Sequence, residues 1–399
     1  MIASFRFQMG LLALLQALLL TNNVTLIAVN GLAGYQLAQD KWMATLPVTA
    51  YVLGGAVWAM PAALFMRRHG RRAGYLLGSL AAVLGALLTW QAVAQGDLWL
   101  LCAGTFVCGL YNAFAQSYRF AAADLADTHR PHFKARAISL VLTGGIAGGV
   151  VGPELAQWSR GALEHQFAGS YLSLGAFALI SLALSQLLRL PDNARPADAD
   201  ASVARPLAEI VRQPVAALAI LSAAVGYGVM NLLMVATPLA MEVCGHGWPA
   251  TTLVLEWHVI GMFAPGLFTG SLIGRFGLMR VLTAGVLLNL LASAVALTGT
   301  SFTHFLVAMV LLGVGWNFMY TGGTSLLTQA YRASEKNKVQ GFMDLCVFAV
   351  MVSSSASSGA LHFLNGWNLL NLIALPLGLL VLILAAWFSW RQARGEAAV

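Results

Sequence analysis

A short basic stretch between two long apolar runs restricts the fold of this chain more than any other feature. The stretch is residues 67–72, Arg-Arg-His-Gly-Arg-Arg, and the apolar runs are residues 42–66 and 73–93. A helix crosses the hydrocarbon core of a bilayer with about 20 apolar residues, whereas guanidinium groups are costly to bury there. We therefore predict two membrane-spanning helices joined by a basic loop, which the positive-inside rule places in the cytoplasm.

The rest of the sequence extends this pattern to a multi-pass membrane protein. The chain is 59% hydrophobic and 9% charged, whereas soluble domains carry roughly 25% charged residues. Its apolar runs predict an all-α protein with twelve transmembrane helices, numbered here as spans 1 to 12. They cover residues 8–34, 41–66, 73–93, 99–123, 137–158, 168–188, 214–243, 248–273, 281–297, 303–327, 339–363 and 367–390.

The distribution of basic residues agrees with this topology. With twelve spans placed in this orientation, all but three of the 22 Lys and Arg residues lie in cytoplasmic segments. Both termini are then cytoplasmic as well. Topology therefore explains the positive net charge, which argues against a nucleic-acid surface. Trp42, Trp99, Trp158, Trp248 and Trp367 fall at the opposite ends of the spans, where interfacial tryptophans are expected.

The two halves of the sequence repeat weakly at an offset of roughly two hundred residues. Arg68 and Gly70 match Arg275 and Gly277, each pair being separated by one residue. The polar stretch between the halves contains several prolines and mixed charges, as expected of a linker. We predict an N-terminal six-helix bundle at 1–189, a cytoplasmic linker at 190–213 and a C-terminal six-helix bundle at 214–399.

These motifs resemble those of the major facilitator superfamily, and the resemblance to its bacterial twelve-helix permeases covers essentially the whole chain. The family's loop between spans 2 and 3 reads G-x-x-x-D-R-x-G-R-R. Residues 63–72 keep Arg-x-Gly-Arg-Arg, with Ala63 and Arg67 at the first glycine and the aspartate. Residues 148–153, Gly-Gly-Val-Val-Gly-Pro, are similar to a family motif linked to antiport. The resemblance implies two pseudo-symmetric bundles, with gating residues Arg68, Gly70, Arg72, Gly152, Pro153, Arg275 and Gly277.

The resemblance also implies that spans 1, 4, 7 and 10 line a central cavity. Each of these spans carries polar or aromatic residues at spacings that keep them on one helix face. The predicted substrate-binding residues are Asn23, Asn112, Gln116, Arg119, Tyr227, Asn231, Asn317 and Thr321. In the functional interpretation they surround a mostly neutral or aromatic organic solute. In the alternative, the amides bridge neighbouring helices and bind no solute.

Three charged residues within the predicted spans are candidates for a role in transport. Arg119 is expected to bind an anionic group of the solute or to pair with a gating carboxylate; alternatively, its side chain snorkels towards the membrane surface or pairs with Asp124. Glu256 is the predicted proton-coupling group, because an intramembrane carboxylate can bind and release a proton; alternatively, it forms a structural pair with His258 or with a neighbouring helix. Asp344 is the second proton-coupling candidate, or else part of a cytoplasmic latch with nearby basic residues such as Lys338 or the Arg275 loop.

The sequence carries no phosphate-binding loop and no Cys/His set with zinc spacing, so we expect neither an enzyme nor a cofactor or metal site. We expect a secondary transporter of a small organic solute in the inner membrane, coupled to protons and monomeric. The alternatives are a uniporter or organic-anion exchanger without proton coupling and, from another class, a non-transporting membrane sensor or assembly factor. The expected partners are the solute, the lipid bilayer and protons, without nucleic acid.

Overall fold

The computed structural model describes residues 5–129, 134–190, 205–332 and 335–394. Most of the predicted linker, residues 191–204, lies outside the described ranges. Residues up to 190 are called the N-terminal half here, and residues from 205 onward the C-terminal half.

The regular structure of both halves is helical. The N-terminal half contains α1 (Phe5–Leu37), α2 (Leu46–His69), α3 (Arg71–Gln95), α4 (Leu98–Ala115), α5 (Tyr118–His129), α6 (Lys134–Ser159) and α7 (Ala168–Gln186). A 3₁₀-helical turn, Lys41–Thr45, leads into α2. The C-terminal half contains α8 (Leu207–Val211), α9 (Pro214–Val243), α10 (Trp248–Phe263), α11 (Gly266–Phe276), α12 (Leu278–Thr298), α13 (Phe302–Leu327) and α14 (Lys336–Ala393).

The lengths of these helices are consistent with twelve membrane spans. Within the described ranges, nine helical stretches are long and apolar enough to cross a bilayer, and α10 with α11 makes a tenth. The longest stretch, α14, has 58 residues and leaves helical geometry at Gly366 (φ 80°, ψ 173°), so it provides two spans. The 26 residues of α6 are enough for one more.

Two predicted spans are broken helices. Span 8 bends by 44° between α10 and α11, where Pro265 begins the second helix. Proline lacks the backbone N–H that would continue the helical hydrogen-bond ladder, which explains the break. Span 4 is divided between Ala115 and Tyr118 without a proline.

Two glycines form equivalent one-residue turns in the two halves. Gly70 (φ 84°, ψ 158°) is the only residue between α2 and α3, and Gly277 (φ 91°, ψ 149°) the only one between α11 and α12. A side chain is strongly disfavoured in this backbone conformation, so the position requires glycine. The near-identical angles support the internal repeat that the sequence predicts at these positions.

Small residues allow close helix contacts within and between the halves. A Cβ added at Gly144 in α6 would lie 2.2 Å from the carbonyl oxygen of Ala13 in α1. One turn away, α6 packs against the other half, since a Cβ at Gly149 would lie 2.4 Å from Val259 in α10. The serine- and glycine-rich part of α14 contacts the start of span 2. The small-residue runs of spans 5 and 11 thus both lie at contacts between the halves.

The tryptophans at the opposite ends of the spans divide into two groups. Trp42, Trp99 and Trp158 are exposed, as expected of interfacial residues. Trp248 and Trp367 are buried, with 7% and 6% of their surface exposed, so the prediction was wrong for these two. Trp248 packs against the ring of Phe167, just before α7, and Trp367 against the ring of Phe305 in α13, contacts that the sequence pattern does not reveal.

The basic loop is fixed to the N-terminal half by its own arginines. Arg71 forms an ion pair with Asp124 in α5 at 2.6 Å, and Arg72 donates to the side-chain oxygen of Gln186 in α7. Asp124 therefore pairs with Arg71, and the alternative pair with Arg119 was wrong.

A second ion pair joins the end of the linker to the loop before α14. Arg205 donates to both carboxylate oxygens of Glu335, at 3.0 and 2.8 Å, and the backbone N–H groups of Arg205 and Arg332 also donate to this carboxylate. Lys338 donates to the backbone carbonyl of Arg205. The Arg205 hydrogen bonds hold the pKa of Glu335 well below its usual range.

This pair predicts a specific pH dependence of stability. Because the folded-state pKa of Glu335 is depressed, its stabilisation is fully present above the unfolded-state pKa of about 4.3 and is lost as the pH falls below that value. We expect Glu335→Gln to lower the melting temperature at pH 7, and the deficit to narrow at pH 3. Thermal unfolding in detergent measures both values. Glu164→Gln, an exposed change in the loop before α7, is the control. An equal deficit of Glu335→Gln at both pH values would contradict the prediction.

Candidate substrate cavity

A cavity of about 360 Å³ lies between the two halves. All eight residues predicted to bind substrate line it, namely Asn23, Asn112, Gln116, Arg119, Tyr227, Asn231, Asn317 and Thr321. Seven of them lie on α1, α4, α5, α9 and α13, and Gln116 lies in the break between α4 and α5, so the helices that the resemblance assigns to the cavity do surround it. This volume is in the range of pockets that hold small organic molecules.

The N-terminal wall of the cavity is a chain of hydrogen-bonded polar side chains. The hydroxyl of Tyr51 donates to the side-chain oxygen of Asn23. The side-chain nitrogens of Asn23 and Gln116 both donate to Oδ1 of Asn112, each at 3.2 Å. The chain thus crosses from α2 through α1 to α4 and presents amide groups, which can both donate and accept, to the cavity.

The C-terminal wall is aromatic. The rings of Trp316 and Tyr320 are stacked, with centroids 5.5 Å apart and planes within 7°. Tyr227 meets both rings edge-on, at 5.0 and 4.9 Å. Further apolar lining comes from the side chains of Met230, Met234, Met262, Phe263 and Met351. This wall suits the flat face of an aromatic solute.

The other two predicted binding amides, Asn231 and Asn317, are bonded to groups of the C-terminal half. The side-chain nitrogen of Asn231 donates to Ser354 at 2.9 Å in α14. Asn317 donates to the carbonyl of Met262 at 2.7 Å and accepts from Thr269 at 2.7 Å, across the break between α10 and α11. For these two residues the structure supports the helix-bridging interpretation more than direct solute binding.

Asn30 follows Asn23 by seven residues in α1, a spacing that predicts the same helix face, but it is buried against another helix and does not line the cavity. Its side-chain oxygen accepts a hydrogen bond from Tyr171 in α7 at 2.7 Å. Asn30 is one heptad beyond Asn23, roughly 10 Å further along α1, and at that level the same helix face meets α7 instead of the cavity.

Arg119 is the cationic residue that lines the cavity among the described residues. It lies on α5 at the end of the cavity nearest the basic loop, and its Nε is buried without a hydrogen-bond partner in the described part of the chain. Tyr320 and Asp344, both from the C-terminal half, are close enough to interact with it electrostatically.

Glu256 lies outside the cavity lining. It is 9% exposed on α10, and its Oε1 has no hydrogen-bond partner among the described residues. The alternative pair with His258 was wrong, because Nδ1 of His258 donates to the carbonyl of Met309 at 2.7 Å. Glu154 of α6, in the other half, is the carboxylate close enough to interact with Glu256 electrostatically.

The predicted gating residues fall into two locations. Arg68 and Arg275 are exposed next to the glycine turns, with Arg275 over the ring of Phe276. Gly152 and Pro153 are buried in α6, where the carbonyl of Gly152 accepts from Thr25 of α1 at 2.9 Å. This second pair therefore packs within the N-terminal half, and a gating role for either pair stays a prediction.

The two halves meet on the side of the molecule opposite the basic loop. The backbone N–H of Gly359 donates to Thr45 Oγ1 at 3.1 Å, and Thr49 donates to Ser355 at 3.2 Å. Here too, the rings of Tyr35 and Phe363 are stacked at 5.2 Å. At the other end of the cavity, the lining residue Gln116 and the nearby Asp344 are exposed. We interpret the structure as closed on the opposite side and open on the basic-loop side.

Sequence reasoning did not identify the aromatic wall as a unit. Trp316 and Tyr320 are four residues apart in α13, a spacing that places them on one face, and this signal is available in the sequence. The contribution of Tyr51 could not be predicted, because it depends on the tertiary contact that brings Tyr51 of α2 to Asn23 of α1 and to the cavity.

No group of three or more His, Cys, Asp or Glu side chains within the described ranges is placed to hold a metal ion.

Comparisons with known proteins place this architecture in context. The family model of the Major Facilitator Superfamily matches residues 10–264 and 247–399. The chain is 37% identical to "Riboflavin transporter RfnT" of Brucella anthropi over 374 residues, covering 94% of this chain and 93% of that protein. It is 27% identical to "Uncharacterized MFS-type transporter YddS" of Bacillus subtilis, covering 92% of this chain and 87% of that protein.

The contact at Gly359 predicts a conformational effect. A Cβ there would lie 2.6 Å from Thr45 Oγ1, so Gly359→Ala should separate α14 from span 2 and disfavour the closed arrangement on that side. We expect disulfide cross-linking between Tyr35→Cys and Phe363→Cys to slow severalfold in this variant, in a background with Cys244→Ser. Gly341→Ala, on the same helix with open space around it, is the matched control. Equal cross-linking rates in the two variants would contradict the prediction.

Proposed function

This chain belongs to the Major Facilitator Superfamily and is a membrane transporter of a small solute. We propose that this solute is a flat, uncharged aromatic molecule, with riboflavin as the first candidate. The observation that carries the proposal is the division of the cavity into one amide-lined and one aromatic wall. The relative named as a riboflavin transporter supports it, because that protein aligns with nearly the whole chain.

The chemistry of riboflavin matches both walls. Its tricyclic ring system is planar and can lie against the stacked rings of Trp316 and Tyr320. One edge of that ring system carries carbonyl and N–H groups, which can exchange hydrogen bonds with the side chains of Asn23 and Asn112. The hydroxylated side chain of riboflavin is uncharged, which suits a cavity with few charged groups.

We further propose that transport proceeds by alternating access in the inner membrane, with the basic loop and both termini in the cytoplasm. The contacts at Thr45, Thr49 and Tyr35 would then close the periplasmic side, and the cavity would open to the cytoplasm. In the other state these contacts separate, and the solute enters from the periplasm. The positive-inside rule supports this orientation, because the basic residues cluster at one end of the spans.

The proposed solute is tested by direct binding. We expect purified protein to quench riboflavin fluorescence in a saturable manner, since stacking on aromatic rings quenches flavin emission. Trp316→Leu should weaken binding at least about tenfold, because it removes half of the stacked pair. Trp99→Leu is the control, since Trp99 is 66% exposed and distant from the cavity. Saturable binding that is the same in both variants, or no binding by the wild-type protein, would contradict the proposal.

Coupling to protons is a second part of the proposal, with Glu256 as the coupling group. A buried carboxylate without a hydrogen-bond partner is costly in its charged form, which favours proton uptake. Its position outside the cavity lining means that it would act on the contact between α6 and α10 and not on the solute.

We expect riboflavin uptake into proteoliposomes to rise with an inward proton gradient, and Glu256→Gln to remove this dependence while riboflavin binding persists. Glu164→Gln, an exposed change in the loop before α7, is the control. If neither the proton gradient nor an uncoupler changes the rate of riboflavin uptake, the result would contradict proton coupling and favour the alternative function, a uniporter.

A further inference from the structure

We infer that Arg160 is a gate residue of the transport cycle: its guanidinium binds the ring of Trp248 in the other half and so holds the side opposite the basic loop closed. The inference rests on the alternating access proposed above and deepens it, since it assigns the residue that stabilises one of the two states. It does not depend on which solute is carried.

Arg160 and Lys41 are the two basic residues that the twelve-span topology places on the side opposite the basic loop. The positive-inside rule disfavours positive charge on that side. Each of the two lies over an aromatic ring. Lys41 Nζ is 4.8 Å from the ring centroid of Tyr35, and the guanidinium carbon of Arg160 is 4.7 Å from that of Trp248. Both distances are in the range of a cation–π interaction.

The contact of Arg160 with Trp248 differs from the other cation–π contacts of the described residues because it joins the two halves. Arg160 directly follows α6 in the N-terminal half, whereas Trp248 is the first residue of α10 in the C-terminal half. The other contacts, such as those of Lys41 with Tyr35 and of Arg394 with Trp390, join residues that are close in the sequence. Arg160 can therefore act on the relative position of the halves.

The loop between α6 and α7 places a second ring beside the same cation. The backbone N–H of Phe167 donates to the carbonyl of Arg160 at 2.7 Å. Phe167 has φ 69° and ψ −9°, a left-handed conformation that no other non-glycine residue of the described ranges adopts and that is strained for a residue with a side chain. Its ring centroid lies 5.8 Å from the Arg160 guanidinium carbon and 6.2 Å from the centroid of Trp248. The strained residue thus belongs to the contact between the halves.

The contact is shielded from water, which strengthens it. Trp248 and Phe167 expose only 7% and 1% of their surface, and cation–π interactions are stronger between desolvated groups. Arg160 forms no ion pair within the described ranges, so the two rings are the partners of its charge there. Opening this side would separate Arg160 from Trp248, whereas Phe167 would stay with Arg160 in the same half. The contact with Trp248 therefore stabilises the closed arrangement.

The inference is tested by the rate at which a membrane-impermeant maleimide labels Ile27→Cys, a cavity-lining position on α1, from outside right-side-out vesicles. The four native cysteines are replaced by serine in this background. Labelling requires the outer side to open, so its rate follows the population of the open state. Arg160→Gln should raise the rate about fivefold, the scale of one cation–π interaction. Arg160→Lys keeps the charge and should raise it less.

Lys41→Gln is the matched control, because it removes the same charge on the same side but its ring contact lies within one half. Its labelling rate should equal that of the wild-type protein. Trp248→Leu removes the partner ring and should also raise the rate. The double variant Arg160→Gln/Trp248→Leu should be labelled no faster than Trp248→Leu alone, because both changes remove one shared contact.

Three results would overturn the inference: equal rates in Arg160→Gln and wild-type protein, an equal increase in Lys41→Gln, or increases that multiply in the double variant. Each would leave the proposed solute standing, because no flavin takes part in the measurement. A wild-type protein that binds no riboflavin would contradict the proposed solute, and the labelling rates would still decide this inference. If Ile27→Cys is never labelled from outside, alternating access and this inference are both overturned.

Discussion

A polar group that faces hydrocarbon without a partner is unstable, and this constraint orders the whole molecule. The arginines of the basic loop lie at one end of the spans, where Arg71 pairs with Asp124. The amides of the spans turn inward, where Asn23 and Asn112 bond to each other at the cavity. Interior polar groups need a water-accessible hollow or a protein partner, so the same constraint that builds the fold also creates the cavity.

The cavity combines two kinds of surface because the two halves are no longer alike. The turns at Gly70 and Gly277 keep nearly the same backbone conformation, which reflects the repeat. The walls have diverged: Asn112 of span 4 belongs to the polar chain, whereas Asn317 of span 10 is bonded to Met262 and Thr269 at a helix break. One half thus provides hydrogen-bonding groups and the other provides stacked rings, so a solute must bridge the halves to contact both.

Much of this arrangement can be predicted from the sequence, because the spacing of polar residues along a helix and the position of basic loops depend only on nearby residues. A polar residue on one face of an apolar helix must point away from lipid. Together with the family resemblance, which assigns spans 1, 4, 7 and 10 to the cavity, this rule selected the eight lining residues. The hydrogen-bond partners of these amides could not be predicted, since Asn231 donates to Ser354, which lies far away in the sequence. Sequence reasoning also could not separate exposed from buried tryptophans, because Trp248 packs against Phe167 of the other half, a contact of the tertiary structure. The polarity of a helix face can be read from neighbouring residues in the sequence, whereas the groups that this face contacts depend on how the helices pack.

The linked side chains of Tyr51, Asn23 and Gln116 have a consequence for how a carrier works. Groups that already satisfy one another are held in position before any cargo arrives, so binding requires little ordering of the wall. A bond to the cargo then replaces an existing bond, and the net gain is small. Such a wall discriminates by geometry while keeping the residence time short. Weak but selective binding suits a transporter, because each transport cycle requires the solute to dissociate as well as to bind.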